Sequence, residues 1–417
     1  MDRIEIMAPA GAFDSLSAAL RAGADSIYFG VGLLNMRARA TANFTVRDLP
    51  GIVRRCRVAG VRSYLTVNTI IYDGELADMR ELCDAAKAAG VDAVIASDMA
   101  VIRYAHTIGL SVHLSVQAGV SNLEAVRFYA GYADVMVLAR ELTLAQIKHI
   151  ADAVRQERIT GPSGKPVRLE IFAHGALCVA VSGKCGMSLA VYDSSANRGA
   201  CFQNCRRSYR VIDEESGDEL VIDNHYVMSP KDLCTIGVLD RILESGVSVL
   251  KLEGRGRSAD YVAAVTSCYR EAAEACHEGT FTREKVDGWL VRLQEVFNRG
   301  FWQGGYYLGE KLGEWSGVGN SQARLRKVHV GRVNHYFPKL QVAELSVEAL
   351  DLKKGSELMV AGPTTGSVRF TAEDIRVDGK SVPVAQKPVL ASVAVPVKVR
   401  RNDQIYLLEE RRFGEVR

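Results

Sequence analysis

The sequence repeats one short unit, in which a helix-like segment ends in glycine and an apolar run of strand-forming residues follows. The unit reads RAGADSIYFG, VAGVRSYLTVN, AAGVDAVIASD, TIGLSVHLSVQ and ESGVSVLKLEG, with its glycines at Gly23, Gly60, Gly90, Gly109 and Gly246. Glycine just past a helix adopts the left-handed conformation that ends the helix, so that a strand can begin at once. The runs are continuously apolar, as expected for parallel strands covered on both faces. The repeat therefore predicts successive βα units.

The number of these units indicates the fold class. The segments IEIMAPAG, DVMVLARE and RLEIFAHG add three strands to the five above. The predicted strands lie at about 4–8, 26–30, 62–68, 93–97, 111–115, 134–139, 168–173 and 248–253. Eight βα units predict an α/β fold of the (β/α)8 TIM-barrel type. The alternative is an open doubly wound sheet, which usually has fewer strands and a glycine-rich first turn, and the chain has no GxGxxG motif.

One long interval interrupts the repeat. Strand seven is predicted to end near His174 and strand eight to begin near Ser248, a gap of roughly 75 residues that far exceeds one crossover helix. In a TIM barrel such an insertion emerges at the carboxyl ends of the strands, where active sites lie. We therefore predict a barrel domain over residues 1–320, with an insertion at about 175–247.

The C-terminal residues 321–417 have a different pattern. Short alternating strands separated by Gly, Pro and Asp turns predict a small all-β barrel domain. This segment has 17 Lys and Arg against 11 Asp and Glu, whereas the formal net charge of the whole chain is +3. The local positive charge permits an anionic polymer such as RNA as a partner, but the overall balance does not demand one.

The N-terminal segment MDRIEIMAPAG has no basic region followed by a long apolar run, and no stretch of the chain is apolar enough to cross a membrane. We therefore expect no signal peptide, no membrane partner and a cytoplasmic location. In that compartment the nine cysteines are not expected to form structural disulfides.

Five of the nine cysteines lie in the predicted insertion, with spacings Cx6C, Cx15C, Cx3C and Cx28C: Cys178, Cys185, Cys201, Cys205 and Cys234. The other four stand singly on predicted helices and are interpreted as buried apolar side chains: Cys56, Cys83, Cys268 and Cys276. Structural zinc usually uses two tight cysteine pairs, and only Cys201 and Cys205 form one, so the spacing favours an iron–sulfur cluster. Zinc and unliganded thiols remain open alternatives.

The start of the insertion resembles the signature of the peptidase U32 family. In EIFAHGALCVAVSGKCGMS the matching positions are Glu170, Phe172, Gly175, Cys178, Gly183, Cys185 and Ser188. Similar segments follow in order, namely NRGACFQNCRRSY, SPKDLC and LKLEGRGRSADYV, and APAGAFDSLSAALRAGADSIYFG is similar near the N-terminus. The resemblance spans roughly residues 4–300. The C-terminal segment is similar to a small β-barrel that some members append.

The family takes its name from collagenase-like peptidases, but the chain has no HExxH or GxSxG motif that would support proteolysis. The resemblance to the hydroxylases of this family implies an enzyme that hydroxylates RNA without oxygen, at a wobble uridine of tRNA, with prephenate as the hydroxyl donor. It implies a [4Fe–4S] cluster held by Cys178, Cys185, Cys201 and Cys234, with Cys205 as the alternative fourth ligand.

Two other hypotheses remain. One is a U32-type peptidase, and the other is a non-catalytic RNA-binding protein whose insertion is held by a metal such as zinc. A homo-oligomer or a partner subunit from the same family is compatible with each of them.

Polar residues at the predicted strand ends supply the remaining candidates. A dicarboxylate such as prephenate favours bidentate arginine contacts, which indicates Arg37, Arg140 and Arg255. The other expected substrate-binding residues are Asn68, His113, Gln117 and Lys251. The expected catalytic residues are Glu170, His174, Glu253 and Arg255, because carboxylates and histidine can transfer protons or orient an arginine.

Several of these residues also have a purely structural interpretation. Glu253 and Arg255 could form a simple ion pair, His174 could bond to the backbone, and His113 could be a core histidine. Asp232 is expected near the N-terminus of a helix opened by Ser229 and Pro230.

Overall fold

A computed structural model describes residues 3–39, 44–210, 212–217, 228–310 and 314–411 of the protein. Residue 211 and residues 218–227 of the predicted insertion lie outside the described residues. No helix in the described ranges combines the length and apolar character needed to cross a bilayer.

The first ten strands belong to one sheet: β1 (Glu5–Ala10), β2 (Ser26–Gly30), β3 (Arg62–Val67), β4 (Ala93–Ala96), β5 (Val112–Leu114), β6 (Val135–Val137), β7 (Arg168–Gly175), β8 (Asp232–Cys234), β9 (Val249–Leu252) and β10 (Phe301–Gln303). Strands β1 to β7 pair in parallel in sequence order. Strand β9 pairs in parallel with both β7 and β1 and closes the ring. The predicted TIM barrel is confirmed, and the open doubly wound sheet is wrong.

Ten helices accompany these strands: α1 (Phe13–Arg21), α2 (Leu49–Val58), α3 (Leu76–Ala89), α4 (Met99–Thr107), α5 (Leu123–Tyr129), α6 (Leu144–Gln156), α7 (Met187–Tyr192), α8 (Leu239–Glu244), α9 (Ala259–His277) and α10 (Arg283–Glu295). The five glycines of the sequence repeat all have positive φ, between 67° and 87°. At the end of α3, for example, Gly90 is the left-handed C-cap, and strand β4 begins three residues later. The repeat thus has the local cause that the sequence indicates.

The barrel interior near the amino ends of the strands contains a paired cluster of charges. The Glu5 carboxylate is almost fully buried and contacts Arg62 and Arg168, the latter at 2.7 Å. The Tyr64 hydroxyl donates a hydrogen bond of 3.0 Å to the other carboxylate oxygen. Burial raises the pKa of Glu5, but the two arginines outweigh this effect and hold that pKa below its ordinary value.

The insertion returns to the barrel as a strand. Strand β8 pairs antiparallel with β7, placing Cys234 opposite His174, and parallel with β10. The predicted helix opened by Ser229 and Pro230 is therefore wrong, because Asp232 begins a strand. The buried Asp232 carboxylate instead pairs with the Arg299 side chain at 3.5 Å and accepts a hydrogen bond from the Arg299 backbone amide.

The C-terminal strands are antiparallel: β11 (Leu325–Phe337), β12 (Val342–Val347), β13 (Leu352–Lys353), β14 (Glu357–Gly362), β15 (Gly366–Thr371), β16 (Ile375–Val377), β17 (Lys380–Ser381), β18 (Val384–Ala385), β19 (Val389–Ala394) and β20 (Gln404–Glu410). They form an eight-stranded sheet and a separate pair, β13 with β18, around their own apolar core. The predicted all-β segment is confirmed.

The C-terminal sheets contact helices α1 and α9 of the barrel. The Ser17 hydroxyl donates to the Pro363 carbonyl at 2.7 Å, and Lys327 pairs with Asp260 at 2.6 Å. Gly366 lies so close to α1 that a Cβ atom there would stand 2.8 Å from the Ala18 backbone nitrogen. The contact therefore requires glycine at this position.

Candidate active site at the barrel mouth

A cavity of about 230 Å³ lies where the carboxyl ends of the barrel strands meet the insertion. Eleven of the residues singled out from the sequence line it: Arg37, Asn68, Gln117, Arg140, Cys178, Cys185, Cys201, Cys205, Lys251, Glu253 and Arg255. They come from strand β9, which contains Lys251, from the loops after β2, β3, β5, β6, β7 and β9, and from the insertion. Parallel strands of a closed barrel bring their carboxyl ends to one rim, so residues distant in sequence meet here.

Four thiols share this cavity: Cys178, Cys185, Cys201 and Cys205. They lie in the short turns that flank helix α7, at the start of the insertion. Burial raises the pKa of Cys205, and the neighbouring thiols of Cys178, Cys201 and Cys185 raise it further. The Cys205 sulfur is therefore within electrostatic reach of the other three thiols.

Cys234 lies apart from these thiols. It is 1% exposed in strand β8 and is absent from the cavity lining in the described chain. Its sulfur is 4.0 Å from the Tyr269 hydroxyl, and burial raises the pKa of its thiol to about 11. The structure thus places Cys205, the alternative fourth ligand, beside the other three cysteines, and places the preferred Cys234 behind the cavity wall.

The four cavity thiols fit an iron–sulfur cluster in chemistry, since such clusters are held by four cysteine thiolates. In the described ranges, no three His, Cys, Asp or Glu side chains are drawn together around one point as ligands of a metal ion. The thiols border a common space instead, with Cys178 exposed to solvent and Cys185, Cys201 and Cys205 half-buried.

Arg37 and Glu253 form an ion pair beside the thiols. The Arg37 guanidinium is 2.9 Å from one Glu253 oxygen, and the Ala176 backbone amide donates to the other at 3.3 Å. Burial raises the pKa of Glu253, but Arg37 and the nearby arginines Arg257 and Arg140 hold it below its ordinary value. The pKa of Arg37 is raised, chiefly by Glu253 and further by Cys201 and Cys178. The predicted pairing of Glu253 with Arg255 is replaced by one with Arg37.

Arg255 is a buried cation whose hydrogen-bond partners are neutral. It is 5% exposed, and its Nη1 donates to the Asn35 amide oxygen at 3.0 Å and the Thr66 hydroxyl at 2.8 Å. No carboxylate in the described chain forms an ion pair with it, and burial lowers its pKa to about 10. A Cβ atom at Gly30 would stand 2.5 Å from this nitrogen, so the glycine makes room for the guanidinium. Arg255 therefore brings a positive charge to the cavity that has no ion-pair partner in the described chain, although nearby Glu253 opposes the lowering of its pKa.

Arg140 is partly committed to the cavity wall. Its guanidinium stacks 3.8 Å above the Phe172 ring, and its Nη1 donates to the Ala176 carbonyl at 3.3 Å. Its buried Nε has no hydrogen-bond partner in the described residues. This unmet donor and the charge of Arg255 together favour an anionic ligand in the cavity.

Lys251 and Glu170 form a pair in the barrel interior below the cavity. The Lys251 ammonium is 2.8 Å from a Glu170 oxygen, and both side chains are buried. Lys251 reaches the cavity lining, whereas Glu170 is absent from it in the described chain. Burial raises the pKa of Glu170, and Lys251 opposes that rise. We interpret Glu170 as the counter-ion of Lys251.

The two predicted histidines lie away from the cavity lining. The His113 ring contacts the Tyr64 ring, with centroids 4.3 Å apart and the planes tilted by 55°, and burial lowers the pKa of His113 to about 3. His174 is enclosed by aromatic rings, its Nδ1 is 3.4 Å from the Tyr269 hydroxyl, and burial lowers its pKa to about 3 as well. Both rings are therefore neutral near pH 7. The position of His113 matches the core-histidine interpretation, whereas His174 contacts the Tyr269 hydroxyl and not the backbone group considered for it.

The sequence model of Peptidase family U32 matches residues 11–317. The chain belongs to the U32 family. A Porphyromonas gingivalis protein named "Collagenase" is 51% identical over 407 residues, which cover 98% of either chain. "tRNA hydroxylation protein P1" of Bacillus subtilis is 29% identical and covers 99% of this chain and 95% of its own. "tRNA hydroxylation protein P" of Helicobacter pylori is 32% identical and covers 73% of this chain and 72% of its own. The predicted family is confirmed.

The site of this U32 protein also includes residues that the sequence did not single out. Asn35 and Thr66 hold Arg255, and neither has a motif that would reveal the contact. Arg206 lies in the family-like segment NRGACFQNCRRSY, and its guanidinium donates to the carbonyls of Leu177 and Pro230, at 2.5 and 2.6 Å. Arg206 thus fixes the backbone next to Cys178. Its position beside a cysteine was the one available signal.

Proposed function

We propose that this U32 protein hydroxylates an RNA base without molecular oxygen, using an iron–sulfur cluster and a dicarboxylate donor such as prephenate. The observation that carries the proposal is the shared cavity, in which four thiols lie beside a buried arginine, Arg255, that forms no ion pair with a carboxylate in the described residues. Relatives named for tRNA hydroxylation support the RNA substrate, and a wobble uridine of tRNA is the specific target that we propose. The cytoplasm is the compartment that fits such a substrate.

We propose Cys178, Cys185 and Cys201 as three ligands of a [4Fe–4S] cluster, with Cys205 as the fourth because it shares their cavity. The preference for Cys234 inferred from the family is retained as the alternative. When bound, the cluster would supply the redox chemistry that oxygen-independent hydroxylation needs. Zinc in the same thiols is the competing metal, and it would give a structural site without that chemistry.

The arginines have separate roles in the proposal. Arg255 would bind a donor carboxylate, since its charge is buried and only neutral oxygens contact it. Arg140 would assist through its unpaired donor, and Asn68 and Gln117 would complete the polar wall. Glu253 would position Arg37 and the Ala176 amide, since it accepts a hydrogen bond from each.

Mass spectrometry of tRNA nucleosides from a strain lacking the gene tests the proposed reaction. We expect a hydroxylated uridine to disappear and to return when the wild-type gene is restored. Restoration by an Arg255→Met variant should be poor. A nucleoside profile that is unchanged by the deletion, for both tRNA and rRNA, would refute RNA hydroxylation.

Collagenase-type proteolysis is the second candidate function, because the 51% identical relative carries that name. Purified protein can be tested on gelatin with and without bound iron. A peptidase would be favoured if cleavage continues after the iron is removed and is lost when a residue lining the thiol cavity is substituted. Absence of cleavage by protein that hydroxylates RNA would favour our first proposal.

A further inference from the structure

Two aromatic side chains are exposed on the insertion, next to the thiol cavity. Tyr192 ends helix α7 and is 41% exposed, and Phe202 directly follows Cys201 and is 45% exposed. Their ring centroids are 4.9 Å apart with an interplanar angle of 47°. Large aromatic rings are usually buried, so an exposed pair beside a cavity indicates a contact surface.

A positive charge accompanies the pair. The Arg207 guanidinium lies 5.2 Å from the centre of the Tyr192 ring and donates a hydrogen bond to its hydroxyl. The surrounding segment, residues 176–209, has four basic side chains and one acidic one, Asp193. Arg198 pairs with Glu75 at 2.6 Å and Arg206 donates to backbone carbonyls, which leaves Lys184 and Arg207 as the cations nearest to the rings in sequence. The combination of aromatic faces and cations matches the chemistry of a nucleic-acid strand, whose bases stack and whose phosphates are anionic.

The pair is fixed to the cavity wall. The Phe202 backbone amide donates to the Ser188 hydroxyl at 3.0 Å, and the Asn204 side-chain amide donates to the Met187 carbonyl at 3.3 Å. Ser188, Asn204 and Cys201 all line the cavity. A base stacked on these rings would therefore lie at a defined position beside the thiols.

We propose that Tyr192, Phe202 and Arg207 form a stacking platform for an unpaired nucleotide that neighbours the base to be modified. The platform rests on the proposed function and specifies it, because it requires the target to lie in a single-stranded loop. Bases must leave a duplex before an enzyme can act on them, and an unpaired loop lowers the cost of doing so. Phosphate contacts alone would not distinguish paired from unpaired RNA.

Fluorescence anisotropy with the holoprotein tests the platform. The probes are a labelled RNA hairpin with an unpaired loop, and the same strand annealed to its full complement. We expect Phe202→Ala and Tyr192→Ala to weaken binding of the hairpin roughly 5- to 100-fold each, the range for loss of one base stack. Tyr192→Phe and Phe202→Tyr keep a ring and should retain affinity. Phe128→Ala removes a 62% exposed ring near the end of α5, at the opposite end of the barrel, and should bind like wild type.

The salt dependence separates stacking from charge. Arg207→Gln should reduce the slope of log affinity against log salt by about 0.7, the value for one contact to a single-stranded phosphate. Phe202→Ala should weaken binding and leave that slope unchanged.

Three results would count against the platform. Wild-type affinity of the Phe202→Ala variant for the hairpin would overturn the platform. The proposed function would still stand in that case if the wild-type protein hydroxylates RNA. Equal loss of hairpin and duplex binding would also overturn it. A change in the mass of the Phe202→Ala protein by light scattering, with unaltered RNA affinity, would assign the surface to a protein partner. If wild-type protein binds neither RNA, the proposed function itself fails.

Discussion

The two ends of the barrel differ in whether a buried charge has an ion-pair partner. At the amino ends of the strands, the Glu5 carboxylate is held by Arg62, Arg168 and the Tyr64 hydroxyl. At the mouth, the Arg255 guanidinium donates to the neutral oxygens of Asn35 and Thr66 and forms no ion pair in the part of the chain that the structure describes. Burying a charge is costly unless an opposite charge and hydrogen bonds compensate it. The closed end therefore contributes to stability, whereas the mouth holds a charge that a ligand would compensate.

The cysteines show the same contrast. Cys56, Cys83 and Cys268 are fully buried, and burial raises the pKa of each thiol to about 12. Such thiols are inert apolar side chains. The cysteines that share the cavity are at least partly accessible, so the mouth collects the groups that can react or bind a metal.

The largest effect on stability is expected for Glu170→Ala, which removes the carboxylate of the buried Glu170–Lys251 pair. The change leaves the Lys251 ammonium buried without its counter-ion, and the free energy of unfolding should fall by about 3–5 kcal/mol. Glu124→Ala is the control, because its pair with Arg127 is exposed and such pairs contribute at most about 1 kcal/mol. Denaturant unfolding of both variants measures the difference. Equal losses would show that the Glu170–Lys251 pair is no more important than a surface pair.

Arg255→Met should have the opposite effect, affecting the binding of a ligand at the mouth and not lowering the stability of the fold. The variant removes a buried charge that has no ion-pair partner in the described residues, so its free energy of unfolding should stay the same or rise. The KM for the dicarboxylate donor should rise by roughly 10- to 150-fold, the equivalent of one charge-assisted hydrogen bond. Steady-state kinetics and unfolding on the same preparation test both parts. A strongly destabilised Arg255→Met protein with an unchanged KM would identify Arg255 as a structural residue.

At pH 7 the buried histidines should give the smallest effect, because their contribution to stability changes only as the pH is lowered below the ordinary histidine pKa. The folded-state pKa values of His113 and His174 are about 3, below the ordinary 6.5. Between these values the unfolded chain binds more protons than the folded one, so stability falls as the pH is lowered through this range. The expected slope is about 1.4 kcal/mol per pH unit for each histidine. His174→Phe should remove one such contribution from the unfolding free energy measured between pH 4 and 6 (roughly the middle of the range). Parallel curves for variant and wild type would contradict the assignment.

Much of the fold could be predicted because its signals are local. Each glycine of the repeat ends its own helix, and each apolar run forms the strand that follows it. Strand β8 could not be found in this way. SPKDLC has the sequence of a helix start, and it becomes a strand only by pairing with β7 and β10, which are far away in the chain.

The residues of the site could be predicted from their type and position in the sequence, but their hydrogen-bond partners could not. The position of Arg255 after strand β9 marked it as a mouth residue, yet its contacts with Asn35 and Thr66 join segments about 190 to 220 residues apart. The spacing of the cysteines likewise could not decide between Cys205 and Cys234. Their separation depends on how β8 inserts beside β7, which no local pattern encodes.

Iron and sulfide analysis of anaerobically purified protein tests the central claim most directly, that the mouth thiols hold an iron–sulfur cluster. We predict a brown wild-type protein with about four irons and four sulfides per chain. Cys201→Ser and Cys205→Ser should lose both, whereas Cys234→Ser, and Cys276→Ser on helix α9 as the matched control, should retain them. Iron-free wild-type protein, or full iron and colour in the Cys201→Ser variant, would contradict the account. Loss of iron in Cys234→Ser with retention in Cys205→Ser would return the fourth ligand to Cys234.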